Sequence, residues 1–290
     1  MTATAIVSRE VLIGFAGLLG LAVGSFLNVV IHRLPRGESL LRPSSHCPAC
    51  AAPVRWFDNV PVLAWLWLRG RCRDCAAPIS PRYPAIELLC GVLFAVIAWC
   101  HGAALMTPVW WVFTAALIAT AAIDFDHQII PDEISLGGLA VALVVVPGVQ
   151  VASGEDLAGA LLRSGAGAVL GGGLFWLVGF LHARVSTALG REFEHWPGPG
   201  ESPPRPASLD YWLWFPGVGF GDVKLLAMIG AVLGPAGVLQ TLLVASIAGL
   251  VLGLGWALLT RRWGAPFGFA PAIAVGALIV VLLPGTLPGS

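Results

Sequence analysis

Two aspartates stand where long apolar stretches give way to polar sequence: Asp124 in Ala122-Ile123-Asp124-Phe125-Asp126, and Asp222 in Gly219-Phe220-Gly221-Asp222-Val223-Lys224. A carboxylate close to hydrocarbon is costly, so it marks a functional site and calls for a partner. If these two are partners, they cannot both ionise; one holds a proton while the other is charged, and such a pair can run acid and base chemistry on a peptide bond. A second constellation is Cys47-Pro48-Ala49-Cys50 and Cys72-Arg73-Asp74-Cys75, two C-x-x-C knuckles with 21 residues between them. Four thiolates at this spacing close a tetrahedral zinc site that has no open position, which makes the metal structural. A pair of disulfides is the alternative, disfavoured in a reducing compartment. Cys90 and Cys100 fall in or beside an apolar stretch and read as apolar filler.

The elements that must carry these groups are membrane helices. The chain of 290 residues is 57 % hydrophobic and 11 % charged, against about 25 % charged in soluble domains. Spans of about 20 apolar residues are predicted near 11–31, 85–100, 108–123, 134–151, 159–182, 222–234, 236–260 and 268–285. The sixth is short and needs neighbours or a thinner bilayer to fit. The fifth carries Gly165, Gly167, Gly171, Gly172 and Gly173, small residues that let helices approach, which places it at the bundle centre. The first apolar stretch is too long for a cleaved signal core. The fold class expected is an all-α polytopic membrane protein of about eight transmembrane helices, with a small cytoplasmic zinc-ribbon-like module between the first two. The domains expected are a first transmembrane helix at 1–31, the four-cysteine module at 32–84, and a membrane core at 85–290 with a Pro-rich cytoplasmic loop at 183–221.

Charge orients the bundle. Eight of the fifteen arginines (Arg33, Arg36, Arg42, Arg55, Arg69, Arg71, Arg73, Arg82) fall between residues 32 and 84. Cationic residues mark the cytoplasmic side; with eight spans, the inner segments 32–84, 124–133, 183–221 and 261–267 hold all the arginines except Arg9 and Arg163. The same span count puts Asp124 and Asp222 on the cytoplasmic face, one ending an inward-running span and the other beginning an outward-running one. With a single lysine, Lys224, and no basic helix, nucleic acid is not an expected partner.

The neighbouring polar residues divide among other roles. Asp126 competes with Asp124, but the two point about 200° apart on a helix and cannot share one partner. Pro131-Asp132 reads as a helix start with Asp132 at or near the N-cap. His127 reads as a surface histidine at a turn. Gly219 and Gly221 leave room for an extended substrate backbone beside Asp222. Lys224 reads as a headgroup anchor or as a charge that tunes the aspartates. Glu87, one turn into the second span, caps an interhelical network or serves a second site. Pro197-Gly198-Pro199-Gly200 and Pro203-Pro204-Arg205-Pro206 read as a mobile linker, followed by an interfacial aromatic belt at Tyr211, Trp212, Trp214 and Phe215. No Ser/His/Asp set or H-E-x-x-H motif offers competing chemistry.

Gly24-Ser25-Phe26-Leu27-Asn28-Val29-Val30-Ile31-His32-Arg33-Leu34-Pro35, the paired knuckles, Ile123-Asp124 through Pro131-Asp132, and Gly219 through Lys224 together make the chain resemble the type IV prepilin peptidases over almost its whole length. The G-x-G-D string alone is shared with presenilin-like proteases. The resemblance implies a multi-pass protein of the bacterial inner membrane whose active site faces the cytoplasm. It implies Asp124 and Asp222 as the catalytic pair and zinc on Cys47, Cys50, Cys72 and Cys75. The implied substrates are prepilins or pseudopilins, cut after a short basic leader; the new N-terminal residue is then methylated from S-adenosylmethionine. Glu87 and the edge of the zinc module are the candidates for the methylation site. The long segment 183–221 departs from the family pattern. Two alternatives remain open: a peptidase without methylation, and a proton-coupled transporter or assembly scaffold, which would place its carboxylates near the midplane of broken helices.

Overall fold

The computed structural model describes residues 8–191, 193, 204–213, 216, 219–261 and 268–283. It is almost wholly helical, and among the described residues the β structure of the N-terminal half amounts to two isolated bridges, His46 with Pro53 and Arg71 with Pro78. The helices are α1 (Arg9–Arg33), α2 (Leu63–Trp67), α3 (Arg82–His101), α4 (Thr107–His127), α5 (Asp132–Ala152), α6 (Leu157–Ala188), α7 (Leu209–Leu213), α8 (Phe220–Thr260) and α9 (Ala270–Leu282). Six of them are long and apolar enough to cross a membrane, and α9 is a shorter apolar helix. The chain is therefore a multi-pass membrane protein. Its helix α8 is interrupted at Gly234 (φ 73°, ψ 179°), just before Pro235; proline cannot donate the ladder bond and clashes with the preceding turn. That break falls where the expected sixth and seventh spans meet. The expected eighth span is helical over Ala270–Leu282, and its last positions lie outside the described residues.

The chain divides into two compact units, Met1–Gln128 and Ile129–Ser290. In the first, α1 and α3 pack backbone to backbone. A Cβ on Gly20 would lie 2.6 Å from the Cys90 carbonyl oxygen, and one on Gly24 would lie 2.6 Å from Glu87 Cα. Small residues one turn apart permit this approach, as in membrane helix pairs generally. Phe94 of α3 stacks on Trp111 of α4 at 5.7 Å between ring centroids, and the Trp111 indole N–H donates to the Phe94 carbonyl at 3.1 Å. A Gly24→Leu substitution should separate α1 from α3 and cost at least about 1–3 kcal/mol, the range for overpacking a filled interface. Thermal unfolding in detergent checks this, with Gly14→Leu as the neutral control because a Cβ there meets nothing within 4 Å.

In the second unit, α6 lies against α8 through Gly167 and Gly171, whose built Cβ atoms would collide with the Gly230 and Leu226 backbone. Gly165 and Gly173 meet nothing within 4 Å, so only part of the glycine run serves the packing expected of it. The segment 183–221, expected as a loop, is helical at both ends: α6 runs to Ala188 and α8 begins at Phe220. Pro204 to Leu213 includes α7, and Trp212 stacks on Phe180 of α6 (5.2 Å, 4° between planes) while its carbonyl accepts from the Trp176 indole at 2.8 Å. Arg184 sits 3.6 Å over the Tyr211 ring. The aromatic belt expected here is, for Tyr211 and Trp212, a cluster on α6. Pro197 to Gly200, Pro203, Trp214 and Phe215 lie outside the described residues.

Candidate active site and thiolate centre

Asp124 lies in the last turn of α4 and is 5 % exposed. The helix stops because Gln128 takes a left-handed conformation (φ 55°, ψ 37°) and its N–H closes on the Asp124 carbonyl, an αL helix terminus. Asp126, on the other side of that turn, is held in an ion pair by Arg82 at the start of α3, whose guanidinium also donates to the Ala122 carbonyl at 3.1 Å. Arg82 thus pins the turn that carries Asp124, and Asp126 already has a cationic partner.

In the second unit Gly219 is the N-cap of α8, and the Asp222 N–H donates to its carbonyl at 3.0 Å. Asp222 is therefore in the first turn, where helix N–H groups favour negative charge. The two glycines before it have distinct tasks. A Cβ on Gly219 would sit 3.2 Å from Asp222 Oδ2, and one on Gly221 would sit 3.0 Å from Ile130 Cβ. Gly219 makes room for the carboxylate, and the space beside Gly221 is taken by Ile130 rather than left for a substrate strand.

Lys224 pairs with Asp132. The headgroup-anchor reading of Lys224 gives way to this pair. Asp132 stands near the N-cap as expected, the first helical residue after Pro131, but it makes no side-chain cap bond. The ion pair joins the start of α8 to the start of α5, beside the Ile130–Gly221 contact.

Glu87 realises the interhelical network expected of it. Its Oε2 accepts the Val62 N–H at 2.7 Å, and the carboxylate also bonds the Ser25 hydroxyl. Asn28 Nδ2 donates to the Tyr83 carbonyl at 3.1 Å, and Arg33 donates to the carbonyls of Ser39 and Pro43. The Gly24-to-Pro35 motif thus fastens the Cys-bearing segment to the ends of α1 and α3. Hydrogen bonds from motif side chains to distant backbone carry no periodicity, so sequence patterning could not have found them.

The four sulfurs of Cys47, Cys50, Cys72 and Cys75 lie within 4.8 Å of one another and could hold a metal ion. The Cys47–Cys75 separation is 3.8 Å, the edge of a tetrahedron with metal–sulfur bonds of about 2.3 Å. All six cysteines are free thiols. The two knuckles repeat each other as Cys-x-x-Cys-Ala-Ala-Pro. In each, the first Cys N–H donates to the carbonyl of the second Ala, and the first Ala (Ala51 or Ala76) sits at φ 58°. The backbone N–H groups of Cys50 and Ala49 face Cys47 and bring its thiol down to about 6. Cys50 receives the Ala52 amide, but the other sulfurs and burial push it up to about 12. Ion pairs brace the second knuckle: Arg73 Nε lies 2.8 Å from Asp58 Oδ2, and Arg55 lies 3.2 Å from Asp74. The Arg73 guanidinium holds the Asp58 carboxyl below its usual range.

An L-residue in the left-handed region is strained, and glycine relieves it. Ala51→Gly and Ala76→Gly should each stabilise the folded knuckle by about 1 kcal/mol. Slower loss of bound metal to a chelator than in the parent checks this.

The fold and the site define a polytopic α-helical membrane protein that bears a four-thiol cluster able to hold a metal ion and acidic residues at helix ends. The description "Bacterial Peptidase A24 N-terminal domain" matches residues 18–101, and "Type IV leader peptidase family" matches residues 111–254. Prepilin leader peptidase/N-methyltransferases are similar along most of their length. The protein of Stutzerimonas stutzeri is 35 % identical, that of Aeromonas hydrophila 34 %, and that of Neisseria gonorrhoeae 33 %; each match covers 91 % of this chain and 88 % of the relative. The chain belongs to this type IV leader peptidase family. No solved structure gives a significant match.

Proposed function

We propose that the protein is a membrane aspartic endopeptidase that removes the leader of type IV prepilins or pseudopilins and then N-methylates the exposed residue with S-adenosylmethionine as donor. Asp124 and Asp222 form the catalytic pair. The observation that carries this is that both aspartates stand at helix ends within residues 111–254, the stretch that matches the type IV leader peptidase family. Membrane topology supports it as well, since α5 and α6 take the chain across and back between the end of α4 and the start of α8.

In this mechanism one carboxylate is charged and draws a proton from water as the water attacks the scissile carbonyl; the other donates a hydrogen bond to the carbonyl oxygen. Asp222 begins a helix and Asp124 ends one, and the shared proton belongs to the pair rather than to either residue. Arg82 with Asp126, and Lys224 with Asp132, hold the two helix ends in place, and Gly219 and Gly221 keep the Asp222 turn tight. Glu87 ties the module to α1 and α3.

The metal on Cys47, Cys50, Cys72 and Cys75 is zinc, in keeping with a closed four-thiolate tetrahedron. S-adenosylmethionine supplies the methyl group. The chain is organised as a first transmembrane helix (1–31), a zinc module (32–84) and a peptidase core (85–290) with a Pro-rich loop between α6 and α8. It resides in the bacterial inner membrane with the module and both aspartates at the cytoplasmic face, where its arginines concentrate.

The test is to incubate the purified protein in lipid with a prepilin and S-adenosylmethionine and to read the product by mass. A product shortened by the leader and heavier by one methyl group supports the proposal. Uncut prepilin overturns it, and a cut but unmethylated product restricts it to the peptidase.

A further inference from the structure

The segment between α1 and α3 exposes more apolar surface than a water-facing module should. Helix α2 presents Leu63 (64 % exposed), Leu66 (58 %) and Trp67 (82 %). These positions, i, i+3 and i+4, fall within an arc of about 100° on one helical face. Trp65 lies on the opposite side, where its indole N–H donates to the Ile79 carbonyl at 3.0 Å. The helix is therefore bound to the module by one face and leaves the other unpartnered.

Its depth is fixed by the bond between Val62 and Glu87. Val62, the residue before α2, donates to Glu87, and Glu87 is five residues into the membrane helix α3. At about 1.5 Å per residue that is roughly 7.5 Å along the helix from Arg82, comparable with the interfacial layer of about 5–8 Å on each side of the hydrocarbon. The start of α2 is thus at the level where headgroups meet acyl chains. The chain chemistry matches that level. Residues 59–73 contain no Asp or Glu, and α2 is followed by the exposed Arg69 and Arg71. Tryptophan beside leucine and arginine suits a lipid interface, with rings among the upper acyl carbons and guanidinium groups on phosphates.

We propose that α2 is an interfacial anchor: Leu63, Leu66 and Trp67 insert into the inner-leaflet interface, and Arg69 and Arg71 bind lipid phosphates. The four-cysteine module is then held at the membrane by this third point as well as by α1 and α3.

The test uses the full chain in phosphatidylethanolamine/phosphatidylglycerol vesicles whose acyl chains are brominated near the headgroup. The emission difference between the parent and W67F isolates Trp67 from the other tryptophans. A blue-shifted difference spectrum that is strongly quenched by the brominated lipid, and little affected by aqueous iodide, supports insertion. In the variant L63S/L66S the same difference should become accessible to iodide. A red-shifted, iodide-quenched Trp67 that brominated lipid leaves unchanged overturns the proposal. So does a Trp67 shielded only after prepilin is added, which would make the face a substrate dock. Unchanged metal content in each variant confirms that the module is folded.

Discussion

Asp124→Asn and Asp222→Asn should each leave prepilin uncut, with turnover reduced by at least the roughly 10²–10⁴-fold that a positioned acid or base contributes. If the two form the proposed dyad, the losses should not multiply: the double variant should be about as inactive as either single one. Asn preserves volume and most hydrogen bonding but can neither take nor share the proton. Asp126→Asn is the internal comparison. Its carboxylate faces Arg82 from the other side of the same turn, so its loss removes an ion pair that is 40 % and 29 % exposed at its two ends, worth about 1 kcal/mol or less. Activity should fall modestly, through the placement of Asp124, and Asp126→Glu should restore part of it. Quantified leader removal, with each variant at parent levels in the membrane, decides between these patterns. Normal cleavage by either Asn variant would refute the dyad.

Replacing any one of Cys47, Cys50, Cys72 or Cys75 by serine, or stripping the metal with a chelator, should unfold the segment between α1 and α3. The reason is the absence of any other core. Among the described residues from Leu34 to Pro81, Gly70 alone is buried. Exposed ion pairs such as Arg55–Asp74 add little. Structural zinc in small thiolate sites contributes of the order of 10 kcal/mol at neutral pH, far beyond what the remaining contacts can replace. Limited proteolysis should then cut within 37–80, sites that the intact protein protects, while the helical content of the membrane bundle changes little. A metal-free protein that resists proteolysis there would show that the module does not depend on its metal.

Much of this was legible in the chain because it is written in local patterns. Apolar runs of spanning length and the C-x-x-C pairs are contiguous or regularly spaced, and the break at Gly234-Pro235 follows from proline chemistry at a single position. What could not be read depended on which residues meet from distant parts of the chain. Lys224 and Asp132 have no periodic relation, and Asp132 after Pro131 looked like a cap because caps are local and ion pairs across helices are not. Gly221 resembled an opening for substrate, yet it is a socket for Ile130. Gly165 and Gly173 look identical to Gly167 and Gly171 in sequence; only the face that α8 covers separates them. Trp212 carries the composition of an interfacial residue, and its stacking on Phe180 depends on a loop returning to α6.

The doubled knuckle gives the module an unusual property: it holds two copies of one measurement. Cys47 to Pro53 and Cys72 to Pro78 share the same turn, the same bridge and the same left-handed alanine, and they differ only at Pro48-Ala49 against Arg73-Asp74. A substitution made at equivalent positions in the two copies is therefore its own control. Where the responses agree, they report the intrinsic energetics of the turn. Where they diverge, the difference isolates what the Arg73 and Asp74 ion pairs add to it.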